Sequence, residues 1–343
     1  MRCVEGSINV ISVVSLVLAQ GCTEEVTVIS GVFGDPFSFE APAYCTNHFF
    51  LDTSYISWYE QYYSNEIPIV NVATQVVSIE VWVQSLEPYP GPYDRICTVL
   101  LNPPGRNGGY DPSLYSSDDT AGISLTSRFT KLSPLSYALK ADGQIGVIDL
   151  LIYVYDDVQT IGVAYRRVDG VQFGDFLADR PIADSLILLK MLKPTDLASN
   201  GRRYPVSWAM QLKNHYRISY GHVSQTGFDL KVLRHLANLK SGEIQGHSML
   251  TITGLDRFND MGDPEPDGQF DFRPGYTINS SLGEFWFPVL EPFDDGISAY
   301  FDERQIVLTD SSVLFPDLYD TTKTGASNSE QNHYVIEGSA ILD

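Results

Sequence analysis

Asp263, Glu265 and Asp267 alternate along the segment DRFNDMGDPEPDGQFDF, Asp256 to Phe272, with Gly268 next and Asp271 close behind. Hard oxygen ligands around a tight turn are what Ca²⁺ requires, and these residues fall on positions 1, 3, 5, 6 and 9 of a calcium loop. Two features oppose that chemistry. Pro274 takes the place of the closing bidentate Glu, and Pro264 and Pro266 stiffen the backbone. The favoured expectation is a rigid Asp-Pro and Asp-Gly turn whose carboxylates accept hydrogen bonds from nearby backbone N–H groups.

Other reactive side chains form no recognisable site. His215, His222, His235 and His247 lie within 33 residues, yet no H-x-x-x-H pair or zinc spacing joins them, so strand or surface histidines are expected. Cys3, Cys22, Cys45 and Cys97 contain no C-x-x-C pair, which excludes zinc ribbons and thioredoxin-like motifs. Two disulfides, in three connectivities, and four core thiols both stay open. There is no GxSxG elbow, no GxxxxGK[ST] loop and no GxGxxG after a strand. Carboxylates are so plentiful that a glycosidase pair cannot be chosen without geometry. No catalytic, cofactor-binding or metal residue is assigned, and no enzyme activity is expected.

The elements that would position these residues are mostly strands. With 20 Tyr, 17 Phe, 27 Gly and 19 Pro but only 19% charged residues, the 343-residue chain favours strands and turns, with few short helices. Its 43% apolar content supplies a core and excludes disorder throughout. A net charge of −21 and a pI near 4.5 exclude a nucleic-acid partner. Charge is distributed acid, base, acid: residues 185–254 hold three acids against nine bases, including Lys190, Lys193, Arg202, Arg203, Lys213 and Arg217.

Along the chain, INVISVVSLVLA at Ile8 to Ala19 is too short for a spanning helix, which needs about 20 residues. It reads as a signal peptide, against which the weakly charged MRCVEGS speaks, or as a strand able to cross an outer membrane within a barrel. EEVTVISGVF at Glu24 to Phe33 is its hairpin partner. Tyr55, Trp58, Tyr59, Tyr62 and Tyr63 fall at helical spacing after Asp52 or Thr53 as cap; a helix packed on a sheet is expected over a sugar- or peptide-binding stripe. Thr74 to Ser85 is the clearest strand, with Val76, Ser78, Glu80 and Trp82 opposite Val77, Ile79, Val81 and Val83, and one face buried. Loops follow to Ser117, apart from a short strand at Ile96 to Leu101. Asp142-Gly143 and Asp169-Gly170 mark hairpins, and SLILLKMLKP at Ser185 to Pro194 is a short helix or a buried strand. The expected divisions are 1–86, strands and aromatic helix; 87–120, a loop-rich linker; 121–255, a hairpin-rich inserted region with the basic patch; and 256–343, an acidic β region.

The stretch GLDRFNDMGDPEPDGQFDFRPGYTINSSLGEFWFPVLEPF, Gly254 to Phe293, closely resembles the SprA/Sov family, giant outer-membrane proteins of type IX secretion and gliding motility. Asp256, Arg257, Asn259, Asp263, Pro264, Pro266, Asp267, Gly268, Phe270, Asp271, Gly275 and Phe287 to Phe293 match its pattern. Weaker similarity extends over roughly residues 6–343, through HFF at His48, IEVWV at Ile79, GVAYRR at Gly162, LYDTTKT at Leu318 and NHYVIEG at Asn332.

The resemblance implies antiparallel strands of a large outer-membrane β-barrel with a β-rich inserted domain, passing folded cargo across the outer membrane at the cell surface. Its partners would be secreted cargo and other type IX components, a barrel protein or lipoproteins, with the basic stretch as one docking surface. It turns Ile8 to Ala19 into an interior barrel strand and carries no catalytic residues. The chain is a small fraction of such a protein, and an open sheet in lipid would leave backbone groups unpaired. A fragment of a longer reading frame, or a portion of the barrel with its insertion, is therefore expected. The alternative is a secreted β-sandwich that binds or acts on carbohydrate through Tyr and Trp surfaces.

Overall fold

Strands outweigh short helices in the computed structural model, which describes residues 34–64, 72–101, 103, 106–107, 124–152, 158–179, 186–200, 203–236 and 239–342. The expected opening hairpin, Ile8 to Phe33, lies outside these residues, as do Cys3, Cys22 and Arg202. No helix among the described residues is long and apolar enough to cross a membrane.

Five strands close into a small barrel: Ile187–Lys193, Asp94–Leu100, Ser124–Lys131, Val76–Gln84 and Ile161–Arg167, which pairs back onto Ile187–Lys193. All neighbours are antiparallel except Ile187–Lys193 beside Asp94–Leu100. Trp82, Cys97, Val99, Phe129, Ala164, Ile187, Leu189 and Met191 form its core, so side chains fill the space and closure leaves no edge along these strands. Gly162 stands opposite Trp82, where a Cβ would come within 3.0 Å of Leu189 and 3.2 Å of Val99.

The expected large membrane barrel does not appear among the described residues. Its strands would face lipid on one side and a lumen on the other, whereas every residue of Ile187–Lys193 is buried. That segment is thus the buried strand, not the helix, of the two forms its sequence allowed. Strands on either side of the 87–120 segment belong to the same barrel.

The strand Val76–Gln84 departs from simple alternation. A bulge between Val76 and Ser78 slips the register, which moves Val76 to the side of Ile79, Val81 and Val83 and leaves Val77 exposed. Both faces are buried in its second half, Trp82 inside the barrel and Val81 and Val83 outside it.

A second layer covers that outer face. It combines the sheet His48–Phe50, Val147–Leu150, Tyr137–Leu139 with the helix Ile56–Ser64. Tyr55, Tyr59 and Tyr63, one helical turn apart, enter this core, as expected of a helix packed on a sheet. Asp52 caps the preceding turn by accepting from the Ser54 N–H at 2.9 Å. Both Asp-Gly hairpins form: Tyr137–Leu139 with Val147–Leu150, and Ile161–Arg167 with Val171–Phe173.

A third core lies under the sheet Asp35–Glu40, Tyr334–Ala340, Asp229–Leu236, Leu239–Ser241 and a small sheet of His215–Arg217, Glu284–Trp286 and Ile278–Asn279. Phe285, Phe287, Phe293, Phe301 and Tyr334 fill it, with the helix Asp295–Glu303 on its flank.

Candidate functional site

Two cross-strand pairs supply the charged groups. In one sheet His48 sits directly opposite Asp149, and in another Arg217 sits opposite Glu284 with His215 opposite Trp286. Alternation places His215 and Arg217 on one face of their strand, and Glu284 and Trp286 likewise. Backbone bonds lock the two sheets together: the Cys45 N–H donates to the His215 carbonyl at 2.8 Å, and the Leu212 N–H to that of His48 at 3.0 Å. The His48 ring consequently stacks on His215, centroids 4.3 Å apart, and His215 on Trp286 at 5.6 Å.

Each charge in this buried cluster has an opposite. Nδ1 of His48 lies 2.7 Å from Oδ1 of Asp149, and Lys140 Nζ lies 3.6 Å from Oδ2 and 3.3 Å from the centre of the Trp286 ring. Arg217 donates to Oε1 of Glu284, with Nε at 2.9 Å. Nε2 of His48 faces Oε2 of Glu284 at 3.6 Å and, like Nε2 of His215, is buried without a hydrogen-bond partner.

The electrostatics follow from burial and neighbours. Burial works against the Asp149 charge, but Lys140 and His48 outweigh it and hold the carboxyl below its ordinary range. Burial pulls the Lys140 ammonium down despite Asp149 and Glu284. Burial, reinforced by Lys140 and His48, pushes His215 well below the usual imidazole value, so its ring is neutral. The Cys45 thiol is pushed up to about 12, by burial first and Glu284 second.

Cys45 opens this cluster to a cleft of about 530 Å³ whose walls include Tyr44, Lys193, Arg217, Tyr220 and Lys323. Two groups of side chains here bring possible metal-binding atoms within 4.8 Å of one another: Cys45, His48 and Glu284, and His48, Asp149 and His215. The second group cannot converge well, because its imidazoles are stacked and Asp149 is engaged by His48 and Lys140.

The residues singled out by sequence lie elsewhere. No three of Asp263, Glu265, Asp267 and Asp271 gather their carboxylate oxygens within 4.8 Å of one another. Asp256 occupies the centre of that turn, accepting from the N–H groups of Asp267 at 2.9 Å and Gly268 at 3.0 Å and from the Thr251 hydroxyl at 3.0 Å. Asp271 accepts from the Arg257 N–H at 2.7 Å, and Asp267 from that of Gln269 at 2.9 Å. This is the rigid, carboxylate-bonded turn.

The four clustered histidines separate: His222 and His235 are exposed and His247 packs on Tyr300 and Phe301, while only His215 enters the site. Cys45 and Cys97 carry free thiols, Cys97 in the barrel core.

The basic stretch is not one docking surface. Lys190, Lys193 and Lys213 are buried, Lys190 against Asp52, because their strand and loop lie between layers.

Sequence reasoning missed His48, Lys140, Asp149 and Glu284 as a group. A lone ionisable residue inside a short apolar strand was the available signal, as Asp149 in VIDL and Glu284 in EFW. In comparisons with known proteins, no family model matches the chain and no curated protein matches its sequence.

Proposed function

We propose that this chain is a segment of a SprA-like outer-membrane translocon, which passes folded cargo proteins in type IX secretion and supports gliding motility. The Gly254 to Phe293 motif carries this reading. Several of its matching residues are committed to a contact: Asp256 and Asp271 bind backbone N–H groups, and Asn259 accepts from the N–H groups of Met261 and Asp263. Arg257 donates to the Tyr63 carbonyl and the Tyr276 hydroxyl, while Phe287 and Phe293 fill the third core. Residues tied down individually are hard to exchange one at a time, which supports reading the match as a shared fold and not a shared composition.

On this reading the described unit is the β-rich insertion and not the channel wall. Its small barrel is packed with side chains and cannot conduct a protein, so transport belongs to a larger barrel that bears it. Secreted cargo, a barrel partner or lipoproteins would meet it at the outer membrane.

The test is excision of residues 34–342 from the full-length protein in a bacterium that glides. Expected are retention of cargo inside the cell and loss of gliding, with the shortened protein still in the outer-membrane fraction. Normal secretion by that shortened protein would overturn the proposal.

A further inference from the structure

We propose that Cys45, His48 and Glu284 form a zinc site, with Asp149 as its positioning residue and a fourth coordination position open to the cleft. The inference is independent of the translocon reading.

The donor geometry comes first. Cys45 Sγ, a ring nitrogen of His48 and a carboxylate oxygen of Glu284 lie within 4.8 Å of one another, and His48 Nε2 is 3.6 Å from Glu284 Oε2. Two ligands of one tetrahedral zinc, bound at about 2.0–2.2 Å, stand about 3.4 Å apart, so little movement is required.

The second observation is His48 itself. It is fully buried, its Nδ1 lies 2.7 Å from Asp149 Oδ1, and its Nε2 has no hydrogen-bond partner while lying 3.6 Å from a Glu284 carboxylate oxygen. A buried polar atom left without a partner is costly, and a metal ion held between Nε2 and the carboxylate would satisfy both. A carboxylate on the far nitrogen of a ligating histidine is the usual outer support of a metal site.

The ligand types select the ion. One thiolate, one imidazole and one carboxylate suit tetrahedral zinc and are poor for Ca²⁺ or Mg²⁺, which take oxygen ligands. Asp149 and Glu284 are already matched by Lys140 and Arg217. The added dication is then offset by the Cys45 thiolate and one anionic ligand, such as hydroxide, from a cleft lined by Lys193, Arg217 and Lys323.

The full chain, reduced and stripped with a chelator, is titrated with Zn²⁺ against a chromophoric indicator and separately with Co²⁺. Expected is one equivalent of zinc bound more tightly than about 1 μM, and a thiolate-to-cobalt charge-transfer band. Cys45→Ser abolishes that band; Cys45→Ser and Glu284→Gln each weaken binding at least about tenfold. Asp149→Asn weakens it roughly 10- to 100-fold while keeping the band. X-ray absorption of the wild-type zinc form needs no variant and is expected to show one sulfur at about 2.3 Å. Failure of the folded chain to bind zinc, a shell without sulfur, affinity unchanged in Cys45→Ser, or NMR showing His48 protonated at both nitrogens with zinc present would each overturn the site.

Discussion

His48 and Asp149 are direct cross-strand partners, and the same register that pairs their backbones brings Nδ1 within 2.7 Å of Oδ1. Asp149 also faces Lys140, which is held over the Trp286 ring. One carboxylate thus serves two buried nitrogen bases.

Asp149→Asn leaves the enclosed Lys140 charge without the carboxylate it pairs with, which costs about 3–5 kcal/mol for a buried pair broken on one side. Urea unfolding is expected to show the loss as a lower midpoint. Adding Lys140→Met to that variant restores most of it, since the uncompensated charge is gone. A double variant no more stable than Asp149→Asn would show that the two residues are not coupled.

The acidic turn gives a contrast between neighbouring aspartates. Asp256→Ala strips the acceptor from the Asp267 and Gly268 N–H groups inside the protein and is expected to cost at least about 2 kcal/mol. Asp267→Ala, at an exposed site bonded only to the Gln269 N–H, is expected to cost less than about 1 kcal/mol. Calorimetry of both variants and of the parent with millimolar Ca²⁺ is expected to give no heat of binding; a calcium-dependent rise in melting temperature, lost in Asp267→Ala, would restore the calcium loop.

Stability also depends on pH through an acidic cluster beside the helix Asp295–Glu303. Burial, followed by repulsion from Asp295 and other carboxylates, pushes Glu291 up to about 7 and Asp294 up to about 6. Folded-state values above the ordinary 4.5 and 3.8 mean that the native chain binds these protons more tightly than the unfolded chain. Their contribution therefore favours folding at low pH and is lost as pH rises through about 6 to 7. Glu291→Gln is expected to flatten that part of the melting-temperature profile and raise stability at about pH 8. An unchanged slope between pH 5 and 8 would contradict the assignment.

Barrel closure depends on the missing side chain at Gly162. Gly162→Ala drives a methyl toward Leu189 and Val99 and is expected to cost about 1–3 kcal/mol by overpacking, read by denaturant unfolding. Leu189→Ala in the same chain makes room and recovers part of the Gly162→Ala penalty relative to Leu189→Ala alone. Strict additivity of the two would argue against a direct clash.

Much of the local structure is legible in the residues. The tyrosine spacing after Asp52 specifies the helix Ile56–Ser64 and its buried face, and Asp-Gly dipeptides specify two hairpins. The Pro-rich acidic segment specifies a turn that spends its carboxylates on backbone N–H groups. These are short-range outcomes, governed by backbone sterics and by hydrogen bonds a few residues long.

What could not be read is whatever depends on register or on distant partners. The bulge after Val76 reverses which face a valine takes, although the sequence alternates smoothly there. The parallel pairing that closes the barrel joins Ile187–Lys193 to Asp94–Leu100 with other strands between them in the chain.

By itself, the sequence determined a mainly β chain, its helix, its hairpins and its carboxylate-bonded turn, because each follows from contacts between near neighbours. Only the tertiary structure decided that His48, Asp149, His215 and Glu284 share one buried site. Their strands lie far apart in the chain, and the stacking of His48 on His215 arises where two separate sheets pack, a contact that no local spacing encodes.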